Sequence, residues 1–153
     1  MMREILLGAA AGAAGTTALN TATYADMTWR ARPASQTPEE TVQKLSEAAN
    51  MTVPGEGDEK SNRVSALGSL SGILTGVGVG AAYGGARALG LRPPVWLGAL
   101  LTCGAALAGS NGPMTLLGVS DPGTWSTTDW VSDIVPHLAY GVVTAATYAA
   151  GEH

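Results

Sequence analysis

Charged side chains vanish from four stretches of this chain: 5–25, 64–86, 93–120 and 134–151 contain no Asp, Glu, Lys or Arg. A helix on the surface of a soluble protein needs a polar face as well as an apolar one. These stretches supply little beyond Thr, Ser, Asn and one His for such a face. A hydrocarbon core about 30 Å thick takes about 17–25 helical residues at about 1.5 Å each. The pattern therefore predicts an all-α fold, an integral membrane bundle of four glycine/alanine-rich transmembrane helices. The spans are expected at about 5–26, 64–88, 94–118 and 133–151 within a single membrane domain over 1–153. The first span also has traits of a cleavable leader, with Arg3 before an Ala-rich run and Thr23-Tyr24-Ala25 as a small-residue site. Glu4 cancels the lone positive charge, which weighs against that reading.

The polar connection 27–63 holds most of the charge. Within it, Thr37-Pro38-Glu39-Glu40 reads as a helix start, with Thr37 as N-cap and Glu40 closing a capping box. Val42, Leu45 and Ala49 follow at helical spacing, so a short amphipathic helix is expected at about 38–50, capping the bundle, with a membrane-surface or partner-binding helix as the alternative. Pro54-Gly55-Glu56-Gly57-Asp58-Glu59 reads as a solvated linker. The second connection, 87–92, is short enough to force a helical hairpin, and Pro93-Pro94 follow where missing amide hydrogens cost little. Trp29, Trp125 and Trp130 flank spans and are expected at the headgroup level. Four spans place Arg30, Arg32, Lys44, Lys60 and Arg63 on one side and Arg3, Arg87 and Arg92 on the other. That count leans toward a cytoplasmic first connection.

Composition sharpens this picture at two points. Only 13% of the 153 residues are charged, against about 25% in an ordinary soluble domain. The formal net charge of −4 excludes the basic footprint of a nucleic-acid binder, and a single cysteine excludes a disulfide framework or a multi-thiolate metal site. Among the 21 glycines, Gly68, Gly72, Gly76, Gly80 and Gly84 recur at intervals of four through the second span. In water each would cost a helix about 0.8–1.0 kcal/mol relative to Ala. In lipid the backbone must bond within its own segment, and small residues let two helices approach closely. The same spacing recurs as Gly8, Gly12, Thr16, Asn20; as Gly98, Thr102, Ala106, Ser110; and as His137, Gly141, Ala145, Ala149. Gly8, Gly12, Gly68, Gly72, Gly76, Gly80, Gly84, Gly98 and Gly141 are thus the expected helix-packing positions. They can serve within the chain or between copies of it.

Chemistry-bearing groups are few. Asp129, Asp133 and His137 recur every four residues and share a helical face. With Asn20 and Asn111 they outline a candidate polar path of Asn20, Asn111, Asp133 and His137, since intramembrane ionisable residues mark ion or proton routes. The plainer reading is hydrogen bonding between helices. Gly76-Val77-Gly78-Val79-Gly80-Ala81 fits a dinucleotide fingerprint in letters alone, because no strand precedes it. No catalytic residue, metal site or cofactor is expected, and Cys103 reads as a small lipid-buried side chain.

Four phrases, Gly15-Thr16-Thr17-Ala18-Leu19-Asn20, Thr23-Tyr24-Ala25-Asp26-Met27, Arg30-Ala31-Arg32-Pro33 and Pro136-His137-Leu138-Ala139-Tyr140-Gly141, resemble small uncharacterised multi-pass membrane proteins of high-GC Gram-positive bacteria. The resemblance implies a bacterial cytoplasmic (inner) membrane and carries no known activity. The expected function is a structural or accessory subunit of a larger membrane complex, or a homo-oligomer. Its expected partners are membrane lipid and other membrane subunits or copies of itself, with no nucleic acid. A small channel or transporter, lined by Thr16, Asn20, Ser110, Asn111 and His137, is the alternative.

Overall fold

The computed structural model describes residues 1–152, and all regular structure among them is helical. The order is α1 (Met2–Arg30), α2 (Thr37–Ala48), α3 (Gly57–Ala88), α4 (Val95–Leu116), a single 3-10 turn (Pro122–Thr124) and α5 (Thr127–Gly151). Three of these, α1, α3 and α4, are long and apolar enough to cross a membrane. α5 does not join them by composition, since its first turns carry Asp129, Asp133, Pro136 and His137.

Helices run beyond the uncharged stretches because their polar ends are locally stabilised. α1 continues to Arg30, whose guanidinium grips Asp26 one turn back at 2.6 Å. α3 starts at Gly57, inside the expected linker, with Asp58 and Glu59 in its first turn, where the positive helix end favours carboxylates. α5 starts at Thr127 behind a capping box of Ser126 and Asp129. The box expected at Thr37 does not form. Gln36 caps α2, and Thr37 is a helical residue whose hydroxyl accepts from Ser35 at 2.8 Å. Pro38, held against Gly68 of α3, sets the start of α2 instead.

α1 packs along α3 and α5, α4 packs along α5, and α3 and α4 meet more lightly, so the four long helices close a ring in the order α3–α1–α5–α4. α2 lies on the N-terminal half of α3, where Ser65 donates to Glu39 at 3.0 Å. At the α3–α4 hairpin Gly90 takes φ +97, which lets the Leu91 amide close back on the Ala86 carbonyl at 3.0 Å.

The interior is built from tyrosines seated over small residues. Tyr140 and Tyr148 are almost completely buried, and Tyr83 meets Tyr148 edge to face with ring centroids 5.3 Å apart. The Tyr140 hydroxyl donates to the Gly76 carbonyl at 2.6 Å, tying α5 to α3 across the bundle. The outward faces are apolar, with Leu6, Leu70, Leu74, Leu100 and Val142 all more than half exposed. Trp29, Trp125 and Trp130 gather at the end where α1 stops and α5 starts, and Trp96 lies at the other.

Candidate functional site: the helix seams and the α4–α5 polar cluster

The small residues form the contacts from which the polar groups are held. A Cβ added to Gly8 would meet the Gly80 carbonyl oxygen, one on Gly80 the Gly8 oxygen, and one on Gly84 the Glu4 oxygen. A Cβ on Gly12 would lie 2.5 Å from the Gly76 oxygen and 3.0 Å from the Gly80 Cα. Where a side chain would stand, the opposite backbone already does. Such approach of glycine Cα to carbonyl oxygen is the geometry of weak Cα–H···O bonds. Gly141 abuts the Ala99 carbonyl and Cys103 on α4, and Gly98 receives the Tyr83 hydroxyl end and Ala145.

Gly72 departs from the ladder: it is exposed, and a Cβ there would meet nothing within 4 Å. Four residues are about 400° of helical turn, so the stripe drifts about 40° per rung. Gly76, Gly80 and Gly84 therefore face α1, Gly68 has turned to α2, and Gly72 falls between them. Gly15, outside the expected set, packs on Tyr140 and Thr144 of α5. With Ala11 it gives α1 a second close-contact face, beside the one made by Gly8 and Gly12.

Between α4 and α5, toward the tryptophan-rich end, lies the polar cluster. His137 is buried, with Nδ1 2.7 Å from the Asp133 backbone oxygen and Nε2 3.2 Å from Ser110 Oγ. A carbonyl can only accept, so Nδ1 carries a proton, while Nε2 lies within hydrogen-bond reach of the Ser110 hydroxyl. The Asp133 carboxylate places Oδ1 3.5 Å from Nδ1 and takes a hydrogen bond from Asn111 Nδ2 on Oδ2 at 2.8 Å. Three of the four path residues, Asn111, Asp133 and His137, thus meet, and Ser110 joins them. Asn20 stands apart on α1, half-buried, with no side-chain hydrogen bond to the other three among the described residues.

Hydroxyl, imidazole and carboxylate in that order invite comparison with an acyl-transfer triad. The surroundings differ from one. Ser110 lies within α4, where backbone N–H groups are committed to the helix and do not form an oxyanion site. Its hydroxyl also sits 3.1 Å from the Ala106 oxygen and 3.2 Å from the Leu107 oxygen, in the usual back-bonded position of a helical serine. The cluster is suited to joining two helices. One turn farther into the bundle stands Tyr140, fully buried and bonded to the Gly76 carbonyl. Among the described residues no three His, Cys, Asp or Glu side chains converge as metal ligands.

Outside the uncharged stretches, the Ser126 hydroxyl and amide hold the Asp129 carboxyl below its ordinary value of 3.8, with a smaller contribution from Arg30. The chain matches no family model, no curated protein and no solved structure.

Proposed function

We propose that the chain is an integral membrane protein crossing the bilayer four times, through α1, α3, α4 and α5. On this reading it is a structural or accessory subunit of a larger membrane assembly, or a homo-oligomer, with no catalysis of its own. The observation that carries the proposal is the division of helix faces: glycines lie against opposing backbone inside, while Leu6, Leu70, Leu74, Leu100 and Val142 face outward. In water that outward shell would be a large apolar patch; in lipid it is the normal exterior.

The fourth crossing is supported by the course of α5 beside α1. Arg30 reaches Ser132 at 2.6 Å near one end, and Arg3 reaches the Gly151 carbonyl at 3.1 Å at the other. The resemblance to multi-pass proteins of high-GC Gram-positive bacteria supports the bacterial cytoplasmic membrane as the location. Affinity purification from native membranes in mild detergent tests the role. Co-purifying membrane subunits, or a defined oligomer, are the expected result; a lone monomer contradicts it.

A transport reading has one observation in its favour, the cluster of Ser110, Asn111, Asp133 and His137. It requires flux through reconstituted liposomes that falls in His137→Ala or Asn20→Ala. The buried Tyr140 beyond the cluster favours the structural reading.

A further inference from the structure

At the end of the bundle where α1 starts, α3 hands over to α4 and α5 stops, a cavity of about 420 Å³ opens to the surface. Arg3, Arg87 and Arg92, all the arginines of that end, line it together with Glu4, Glu152 and Tyr148. Both carboxylates face cations, Glu4 the amino group of Met1 at 2.5 Å and Glu152 Arg87, although Glu4 Oε2 is itself buried without a hydrogen bond. Arg3 donates to a backbone carbonyl, and Arg92 has no carboxylate partner among the described residues.

Two donors remain unanswered. Tyr148 is 1% exposed, and its hydroxyl is buried without a partner among the described residues. Arg87 Nε is buried and unpartnered in the same way, although the guanidinium is fixed over the Tyr148 ring at 5.4 Å and donates to the Pro93 carbonyl at 3.1 Å. Buried donors left unmade are costly; the Tyr148 hydroxyl can accept from the Arg87 guanidinium beside it, but its own proton still asks for an acceptor.

We propose that this cavity is a binding site for a phosphate-bearing anion. A phosphate group offers several acceptor oxygens at once, enough for Arg87 Nε, the Tyr148 hydroxyl and the guanidinium of Arg92, and guanidinium pairs with it in fork geometry. The site lies at the bundle end that the proposed topology sets at headgroup level, and Leu7 and Ala88 give it an apolar flank. A phospholipid headgroup and a free phosphate share this chemistry. Basic pockets at helix ends are a recurrent means of holding anionic lipid. The inference does not depend on the accessory role.

The test is thermal unfolding of the detergent-purified full chain in three arms: phosphatidylglycerol, diacylglycerol of the same acyl chains, and inorganic phosphate against chloride at equal ionic strength. Stabilisation by phosphatidylglycerol but not diacylglycerol supports the site with a lipid as source. Stabilisation by inorganic phosphate over chloride supports it with a free anion as source. In either case Arg92→Gln and Tyr148→Phe each weaken the apparent affinity about tenfold, the value of one charge-assisted hydrogen bond. Arg92 lies in the exposed connection, so its replacement leaves the fold intact. Arg87→Gln is made with Glu152→Gln so that no carboxylate is stranded, and it abolishes the shift. The proposal is overturned if no phosphate compound stabilises the protein, or if Arg92→Gln and Tyr148→Phe respond as the parent does.

Discussion

Along α1 and α3, Gly8, Gly12, Gly76, Gly80 and Gly84 bring backbone against backbone, whereas α4 and α5 meet through Gly98 and Gly141 and then through Ser110, Asn111, Asp133 and His137. The first seam holds by closeness. Its dispersion contacts and Cα–H···O approaches are individually weak and exist only while no side chain intervenes. The second changes character along its length, from close packing to hydrogen bonds as it nears the end where α5 begins. The contrast teaches where each device works. Glycine contact needs no polar partner, while the carboxylate and the imidazole are held where Asn111, Ser110 and a backbone carbonyl answer them.

The largest expected effect is at the glycine seam. Gly80→Ala puts a methyl group against the Gly8 carbonyl and the Gly12 backbone, none of which can rotate away. It is expected to cost about 2–3 kcal/mol in unfolding from mixed micelles, the usual scale of overpacking. Gly72→Ala makes the same chemical change in open space and is expected to stay within about 0.5 kcal/mol of the parent. Equal effects at the two positions would dissolve the distinction between the seams and the rest of the ladder.

The polar part of the second seam is expected to be softer. Asp133→Ala removes the acceptor of Asn111 and a neighbour of His137, and a loss of about 1–2 kcal/mol is expected. A double-mutant cycle with Asn111→Ala isolates their direct term, expected near the ~0.6 kcal/mol average for hydrogen bonds between membrane helices. A coupling of zero would mean that the 2.8 Å contact holds nothing.

Below the Asp133→Ala effect comes the one at the start of α5. Ser126→Ala removes one half of the capping box and is expected to cost about 1 kcal/mol. The folded state holds Asp129 below its ordinary 3.8, so its contribution is complete above that pH and is lost as pH falls through the lower folded value. Helicity at the α5 N-terminus, followed by amide exchange, therefore weakens below pH 3.8 in the parent. Ser126→Ala shows a flatter acid limb, and identical limbs would rule the cap out as the cause.

Much of the fold was legible because absence of charge is a property of local sequence. The long helices follow from it, as does the hairpin at 87–92, whereas the short helix of the first connection was legible from the spacing of Val42, Leu45 and Ala49. Their ends were not, since Asp26–Arg30, the acidic start of α3 and the Ser126 box extend helices past the point where charge returns. The glycine ladder was visible as a stripe, yet which rung meets which neighbour depends on drift around the helix and on where α2 lies. Gly72 and Gly15 fall on opposite sides of that limit: one sits in the stripe without a partner, the other off it with two. In the polar cluster the spacing of Asp133 and His137 announced a shared face, but the meeting with Ser110 and Asn111 is a tertiary event. The cavity of Arg3, Arg87 and Arg92 is another, assembled from three separate chain segments.

The central claim, four crossings with α5 as the last, is tested most directly by thiol accessibility in intact cells. Single cysteines at Leu91, Glu152, Gly55 and Thr124 would be introduced into the Cys103→Ser chain and labelled with a membrane-impermeant reagent. Four crossings predict that Leu91 and Glu152 label alike, and that Gly55 and Thr124 label in the opposite sense. Labelling of Glu152 together with Thr124 would show that α5 does not cross, and would contradict the account.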